Sequence, residues 1–561
     1  MEPANETETE TETATDNGSD RRAVRVKSSV SEIGAILDRP ATRNLAIVVF
    51  GLACAFVLTR SGPLGWDESV YAARAKDLVT SDFSWGHRSG AYWSDLRAPG
   101  LPILTSAAFW IFGVSDFVAR AVVAICAGLL LVVLGKTLDL YFSRRIGTTA
   151  VLLTALCPGF LATASLAFAD IPAGLLGSLA VYQLARSHVD RDVRWLIGLP
   201  VTLAAVTTVR FGGIFLVVAP LVVIAVLVLV DIIREQAWRR LGSYAVAAVL
   251  SGGLVAALLG TRILTAKSSP VQATRDFHEA LARPDGNWLQ DLHAVLTPGP
   301  VDYGFTGSFW GWTYLVVFAF ASVVAVSHLL IRRRWALAIA LGSIAVAPVF
   351  FYSVTVNQFV TTYLAPIFVS SAVAVAVGFW GGRGRSLGGR TVEAKSPAAW
   401  RWLQHLGIPT IRVAVVSASA IVASVVMLTT LIGVVKMHER LKGFDEVREV
   451  SIVADQLLGP ECKVLTSRTP QVAWYSDCYT ARVSAGPASF DEAEGVTDEL
   501  LREEARRVGA VSGDVIGFVL LDGLSTEPSI DQLWEQRVEA GSVVLSSSSG
   551  RRVGMIAVEV P

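Results

Sequence analysis

Long apolar runs separated by short polar segments occupy most of the chain up to about residue 436. Crossing the hydrocarbon core of a bilayer takes about 20 mostly apolar residues. The pattern therefore predicts eleven membrane-spanning helices, at 44–59, 117–135, 146–168, 171–186, 195–209, 212–232, 241–260, 310–331, 335–352, 360–379 and 408–435. The run at 101–112 is shorter, and we predict that it lies at the membrane surface or dips into it without crossing.

Lysine and arginine clusters between the apolar runs predict the topology. If 101–112 does not cross, nearly every short basic segment falls on the side of the amino terminus, which the positive-inside rule assigns to the cytoplasm. These segments are 21–27, 136–145, 191–194, 234–240, 332–334 and 383–401. The outer face then holds two long loops, 61–116 and 261–309. Counting 101–112 as a span would reverse every later loop.

The two ends of the chain are polar. Residues 1–43 lack the basic start and short apolar core of a cleaved signal peptide and are typical of a disordered acidic cytoplasmic tail. The membrane region covers 44–436. From 437 to 561, short β-rich runs alternate with charged helical stretches, which predicts a small extracytoplasmic α/β domain. Its Cys462 and Cys478 could pair outside the membrane, although spacing alone leaves two free thiols as the alternative.

Composition agrees with an α-helical polytopic membrane protein. Of the 561 residues 52% are hydrophobic and only 17% charged. Lysine plus arginine and aspartate plus glutamate both number 48, and no basic stripe with interleaved aromatic residues is present, so we expect no nucleic-acid partner. Cys54, Cys126 and Cys157 lie inside apolar runs without a CxxC motif, which disfavours a thiolate metal site.

Four ionisable residues stand at the outer ends of predicted helices. They are Asp67 and Glu68 in GWDESVY, Asp170 in SLAFADIPAG and Arg210 in TTVRFGG. Each has an ordinary explanation: a solvated first helical turn for the acid pair, a helix N-cap for Asp170, and a snorkelling interfacial side chain for Arg210. Their convergence on one face at membrane depth favours a functional site, because ionisable groups near the bilayer usually mark one.

The order of the motifs resembles that of a known fold. WDESVYAARAKDLV, DLRAPGLPILTSAAFWIFGVSDFVAR and LCPGFLATASLAFADIPAGLLGSLAVY follow one another as in GT-C glycosyltransferases that use polyprenyl-phosphate sugars. The similarity covers about 44–379 and is greatest to the group of dolichyl-phosphate-mannose protein mannosyltransferases and aminoarabinose transferases. The sequence has no WWD triplet, which argues against the oligosaccharyltransferase branch, and no match to a β-trefoil module. A prokaryotic enzyme is favoured, with an archaeal origin one option.

The resemblance implies roles for the acids. Asp67 matches the catalytic acid of the family's first outer loop, Glu68 is its neighbour, and Asp170 matches the acid of the second outer loop. A carboxylate must take the proton of the acceptor hydroxyl during attack on the anomeric carbon, and we expect Asp67 to be that base. One base and one attack imply inversion, although a retaining mechanism with a carboxylate nucleophile stays open.

The resemblance also implies donor-phosphate-binding residues. Arg97, in DLRAPG, falls where relatives have a basic residue that contacts the lipid phosphate, and Arg210 matches a second basic residue near it. Tyr363, in VTTYLAPIF, corresponds to a family tyrosine, but Thr362 stands where arginine is common. A cationic clamp makes a metal dispensable for a monophosphate donor, so we expect no obligatory cofactor, while the acids leave a divalent metal open.

The sequence thus predicts a multi-pass cell-membrane glycosyltransferase. Its donor would be a polyprenyl- or dolichyl-phosphate sugar, with mannose favoured by the resemblance, and its acceptor a lipid- or protein-linked glycan or a protein hydroxyl on the outer face. The first alternative is a secondary transporter, whose acids would lie near the membrane midplane. The second is a non-catalytic scaffold, which would leave the acids and arginines without a task.

Overall fold

The computed structural model describes residues 34–80, 98–210, 213–266, 445–459, 462–466, 469–481, 498–521, 542–546 and 552–561, with single residues and short pieces between 326 and 380. Several predictions fall elsewhere. Arg97, Tyr363, the loop 261–309 beyond residue 266, residues 1–33 and nearly all of the last four predicted spans lie outside the described residues.

The amino-terminal half is helical. Its elements are α1 (Pro40–Leu58), α2 (Trp66–Thr80), α3 (Gly100–Phe112), α4 (Asp116–Tyr141), α5 (Arg144–Ala155), α6 (Pro158–Ala164), α7 (Asp170–Asp190), a 3₁₀ turn (Val193–Leu196), α8 (Leu199–Val209), α9 (Gly213–Glu235) and α10 (Trp238–Ala266). Within the described ranges, three stretches are long and apolar enough to cross a membrane: Pro40–Leu58, Asp116–Tyr141 and Trp238–Thr261. The count of eleven spans stays a prediction.

Two predicted spans are interrupted in the structure. The stretch 146–168 is divided between α5 and α6, because Pro158 lacks an amide N–H and Cys157 before it is extended (φ −71°, ψ 125°). The stretch 195–209 is divided between the 3₁₀ turn and α8. With 11 residues, α8 is about 16 Å long, about half the thickness of the hydrocarbon core. Neither stretch is one continuous spanning helix.

Contacts at both ends show that α1 and α4 run antiparallel side by side. At the start of α1, Arg43 Nη1 donates to Asp139 Oδ2 near the end of α4 (2.8 Å). Beyond the end of α1, the carbonyl of Gly62 accepts from Arg120 Nη1 near the start of α4 (2.7 Å). The end of α1 and the start of α4 therefore lie at the same end of this helix pair. That α3 does not cross the membrane stays a prediction. Trp110, 81% exposed on α3, suits an interfacial position.

An apolar core lies where α1, α4, α6 and α7 meet. The rings of Phe50 and Phe160 have centroids 5.5 Å apart in this core. Cys54, Cys126 and Cys157 are buried in it and form no disulfide, which agrees with their interpretation as small core residues. This core supports the helix ends on which the ionisable residues stand.

The carboxyl-terminal part forms an α/β unit. It contains α11 (Asp445–Leu458), β1 (Lys463–Leu465), α12 (Thr469–Tyr475), β2 (Tyr479–Ala481), α13 (Asp498–Arg507), β3 (Val515–Leu521), β4 (Val543–Ser546) and β5 (Arg552–Glu559). The sheet order is β2-β1-β3-β5-β4, with β1 parallel to β2 and β3, and β5 antiparallel to β3 and β4. Side chains alternate along β3, so Val519 packs with the α11 side and Phe518 with α13.

A disulfide joins Cys462 and Cys478, whose Cα atoms are 4.3 Å apart. The two cysteines lie immediately before β1 and immediately before β2, so the bond closes the loop that contains α12. This short helix is thereby held against the edge of the sheet.

The assignment of helix ends to the two sides of the membrane can be tested with single cysteines. We expect an impermeant maleimide to label Thr59→Cys and Glu449→Cys in intact cells, and Arg194→Cys only after permeabilisation, because the positive-inside rule assigns Arg194 to the cytoplasm. All three positions are exposed. The native cysteines are buried or bonded, so the unsubstituted protein is the control. Labelling of Arg194→Cys from outside would reverse the topology.

Candidate active site

Glu68 is fully buried in the first turn of α2 and makes a bidentate ion pair with Arg120 of α4. Arg120 Nε donates to Oε1 and Nη2 donates to Oε2, both at 2.8 Å. Two backbone amides complete the shell of Glu68: Gly65 N donates to Oε2 (2.9 Å) and Ala167 N to Oε1 (2.8 Å). The solvated first turn considered from the sequence therefore does not describe Glu68.

The pair joins three segments at one end of the helices. Arg120 also donates to the carbonyls of Gly62 and Pro63, so the loop 62–65, the start of α4 and the corner before α7 share one set of contacts. Burial alone would raise the pKa of Glu68, but the charge of Arg120 and four hydrogen bonds outweigh it and hold the pKa below its usual 4.5. Glu68 is ionised at neutral pH.

Asp67 precedes Glu68 and is only partly buried. Successive residues of a helix differ in direction by about 100°, so the inward orientation of Glu68 turns Asp67 away from the Arg120 pair. The fixed position of Glu68 thus determines where the backbone of Asp67 lies.

Asp170 and Arg210 form the second acid and base pair. Arg210 Nη1, at the end of α8, donates to Asp170 Oδ1, at the start of α7. The N-cap position of α7 is Ala169, and no side chain makes a capping bond there. The Arg210 side chain is 17% exposed. The structure thus brings together two of the sequence-predicted residues, and in an arrangement that neither the N-cap nor the snorkelling explanation describes.

The two acid-bearing corners are adjacent. Ala167, whose amide binds Glu68, lies three residues before Asp170 in the same corner. The start of α2 and the start of α7 therefore lie side by side, although Asp67 and Asp170 are far apart in the sequence.

Gly100 brings a third segment to this end of the molecule. A Cβ atom at Gly100 would lie 2.7 Å from Val209 Cγ2 and 2.8 Å from the Val209 backbone, so only glycine fits this approach. Ala98 beside it is 4% exposed. Residues 98–100 are therefore packed against the residue that precedes Arg210. Arg97 adjoins this segment in the sequence and is outside the described residues.

Sequence reasoning missed Arg120 as the partner of Glu68. A signal was present, because an arginine in the first turn of a predicted span is unusual and needs a partner. It also missed Asp116, Lys76, Trp474 and Tyr475, which join the α/β unit to this end of the helices. No local sequence pattern distinguishes these four.

One group of potential metal ligands occurs within the described ranges: Asp455 with Cys462 and Cys478. The two sulfur atoms are bonded to each other, so they are not thiolates and do not suit a metal ion. The group belongs to the α/β unit and does not include the acids at the helix ends. The need for a metal stays untested.

Comparison with solved structures identifies the fold. The chain is similar to ArnT from Cupriavidus metallidurans bound to undecaprenyl phosphate, with a TM-score of 0.56 over 91% of this chain and 97% of that one, at 16% identity. The apo state of the same protein gives a TM-score of 0.54 at 16% identity with the same coverage. The chain has the GT-C fold.

Other comparisons extend or limit this result. The model of the dolichyl-phosphate-mannose-protein mannosyltransferase family matches residues 97–258, a region that includes Arg97, Asp170 and Arg210. The Archaeoglobus fulgidus oligosaccharyltransferase tethered with an acceptor peptide has a TM-score of 0.49 at 14% identity, covering 91% of this chain and 74% of that one. Nothing further follows from that weaker likeness. No curated protein matches the chain by sequence. The resemblance predicted from the motifs is confirmed.

The buried pair can be tested with Glu68→Gln. The substitution leaves Arg120 charged and buried without its counter-ion, a change that typically costs about 3 to 5 kcal/mol of unfolding free energy. Thermal or denaturant unfolding of the purified protein in detergent measures the loss. Asp67→Asn, the same carboxyl-to-amide change one residue earlier, is the matched control and should lower the free energy of unfolding by less, because Asp67 is only partly buried.

The effect of Glu68→Gln on the free energy of unfolding should also depend on pH. Because the folded-state pKa of Glu68 is lowered, its contribution is complete above the unfolded value of 4.5 and is lost as the pH falls through the folded-state pKa. The gap in stability between the natural protein and Glu68→Gln should therefore narrow in acid. A gap that is absent at pH 7, or that widens in acid, would contradict a stabilising ionised pair.

Proposed function

We propose that this protein transfers a sugar from a polyprenyl- or dolichyl-phosphate carrier to a glycan or protein acceptor at the outer membrane surface. Mannose is the proposed sugar, on the strength of the family match over residues 97–258. The observation that supports the proposal most is the Asp170–Arg210 pair, which lies at the same helix ends as Asp67 and beside the segment 98–100. In this proposal the carboxylate of Asp170 and the guanidinium group of Arg210 lie together where the bilayer-anchored donor binds.

The arginines would bind the phosphate of the donor. A guanidinium group has five N–H donors, so the contact of Arg210 with one oxygen of Asp170 is compatible with contacts to a phosphate. The packing of residues 98–100 on Val209 supports the assignment of Arg97 and Arg210 to one phosphate group. The similar ArnT was solved with undecaprenyl phosphate, a carrier of the proposed kind.

Asp67 would act as the general base. It accepts the proton of the acceptor hydroxyl while the hydroxyl oxygen attacks the anomeric carbon. The bond between the anomeric carbon and the phosphate oxygen breaks, and its electron pair leaves with the polyprenyl phosphate, whose charge the guanidinium groups stabilise. A single displacement inverts the anomeric centre. No step in this mechanism requires a metal ion.

The remaining acids have different tasks. Asp170 stabilises the positive charge that develops on the sugar ring and orients Arg210. Four hydrogen bonds occupy the oxygens of Glu68, which is completely buried, so its task is to position the Asp67 turn. A cation transporter would place its ion-binding acids near the membrane midplane, whereas Glu68 and Asp170 stand at helix starts, each beside an arginine.

The base assignment predicts that Asp67→Asn retains the fold and donor binding but lowers transfer about 100- to 10,000-fold, because the amide cannot accept the proton. The measurement is transfer of radiolabelled sugar from polyprenyl phosphate in membranes, at matched protein abundance. Asp190→Asn, at the opposite end of α7 from Asp170, is the control and should keep full activity. Uptake of label by sealed vesicles without transfer would favour the transporter instead.

Arg210→Ala should weaken donor binding about 10- to 150-fold, because a hydrogen bond to a charged group is worth about 1.5 to 3 kcal/mol. Titration with polyprenyl-phosphate sugar measures the affinity, and Arg194→Ala, in the 3₁₀ turn at the predicted cytoplasmic side, is the control. Asp170→Asn should lower both the rate and the affinity, by less than Asp67→Asn and Arg210→Ala respectively. Unchanged affinity in Arg210→Ala would exclude it as a phosphate ligand.

A further inference from the structure

The α/β unit packs directly on the helices at the candidate site through the end of α12 and the residues after it. Trp474, 5% exposed, stacks on Phe109 of α3 with ring centroids 5.6 Å apart. Lys76 of α2 donates to the carbonyls of Trp474 and Ser476, at 3.1 Å each, and forms an ion pair with Asp477 (3.1 Å). The contacts reach both helices that follow the loop 62–65.

Asp116, the first residue of α4, is the centre of this interface. Trp474 Nε1 donates to Asp116 Oδ1 (2.6 Å), and the hydroxyl of Tyr475 donates to Oδ2 (2.9 Å). The same hydroxyl accepts from the amide of Leu64 (2.7 Å). Leu64 lies three residues before Asp67, so one phenol oxygen joins the α/β unit, the start of α4 and the loop that leads to the proposed base.

The interface continues to the buried ion pair. Asp116 lies one helical turn before Arg120 and interacts electrostatically with it. Burial, together with the neighbouring charge of Asp116, raises the pKa of Tyr475, so its hydroxyl stays protonated and remains a donor. Hydrogen bonds therefore link Tyr475 to Asp116 and Arg120 to Glu68, and the charge of Asp116 acts on Arg120 across the helical turn between them.

We propose that Tyr475 is a positioning residue for sugar transfer, which fixes the loop 62–65, and with it Asp67, relative to the Asp170–Arg210 pair. This inference rests on the proposed function. The disulfide supports the arrangement, because it closes the loop that contains α12 and so restricts the end of the helix where Trp474 and Tyr475 stand. The α/β unit thereby becomes part of the catalytic geometry.

If the contact of Tyr475 had only a structural role, its loss would have a different effect. Loss of a structural contact lowers the amount of folded protein and leaves kcat per folded molecule unchanged. Loss of a positioning contact lowers kcat and leaves the donor KM unchanged, because Arg210 follows α8, whereas the hydrogen bonds of Tyr475 are with Leu64 and Asp116. Displacement of a catalytic group by about 1 Å is enough to cost about 100-fold.

The test uses Tyr475→Phe in the full-length protein, which keeps the ring and removes the hydroxyl. We expect kcat for transfer from polyprenyl-phosphate sugar to fall about 10- to 100-fold with an unchanged donor KM. Lys463→Met is the matched control: it removes an ion pair with Asp514 within the α/β unit and should keep the natural kcat. If Tyr475→Phe does not accumulate, Asp116→Asn is measured in the same way.

A double-mutant comparison tests whether Tyr475 and Asp116 act through the same path. Tyr475→Phe removes the hydroxyl that donates to Asp116, and Asp116→Asn replaces one of the two acceptor oxygens of this pair of bonds with an NH2 donor. The kcat of the double variant should therefore fall no further than that of the worse single variant, within about threefold. If the losses of kcat in the two single variants multiply in the double variant, Tyr475 and Asp116 do not act through a shared path. If Tyr475→Phe keeps the kcat of the natural protein, or raises the donor KM, the positioning role is overturned. If these occur while Asp67→Asn is inactive, the proposed function stands. Full activity of Asp67→Asn would overturn both.

Discussion

The arrangement of the helix ends at the candidate site depends on one buried ion pair. Burying Glu68 and Arg120 together carries a large desolvation penalty, which their attraction offsets only when the remaining donors and acceptors are also satisfied. Here Arg120 donates two guanidinium N–H bonds to Glu68 and two to backbone carbonyls, and two backbone amides donate to Glu68. That set exists only when the loop 62–65, the start of α4 and the corner at Ala167 are all in place. The pair specifies one geometry, whatever its net stabilisation.

This geometry gives the adjacent acids Asp67 and Glu68 different roles. Glu68 points inward and is inaccessible, whereas Asp67 lies on another side of the same helical turn and is partly exposed. A base that must reach an acceptor hydroxyl needs access, and a residue that fixes the backbone needs burial. Both requirements are met within two residues because a helix turns by about 100° per residue.

The sequence predicted those features of the fold that depend on local pattern. The long apolar helices α1, α4 and α10 follow from run length, and so does the shortness of α3. The break before α6 could have been predicted from Pro158, because a proline restricts the residue before it, here Cys157. The length of the apolar run 146–168 led instead to the prediction of one continuous helix. The positions of Asp67 and Asp170 at helix starts were also within reach, because acids favour the first turn.

The pairings were beyond sequence reasoning because they join distant residues. Glu68 and Arg120 are 52 positions apart, Asp170 and Arg210 are 40 apart, and Tyr475 is 359 from Asp116. One-dimensional periodicity gives the face on which a side chain lies but not the residue it meets. Arg120 shows the consequence, since its place inside an apolar run was visible while its partner was not.

The charge balance at these helix ends determines how the donor phosphate can be attracted. Arg120 is neutralised by Glu68, and Arg210 has Asp170 as its partner, so neither pair presents a net positive charge. Attraction of a phosphate dianion or monoanion then needs a further cation. Arg97 adjoins the segment 98–100, which Gly100 holds against Val209, one residue from Arg210. The proposed mechanism assigns to Arg97 the charge that attracts the donor phosphate, and to Arg210, held by Asp170, the orientation of that phosphate.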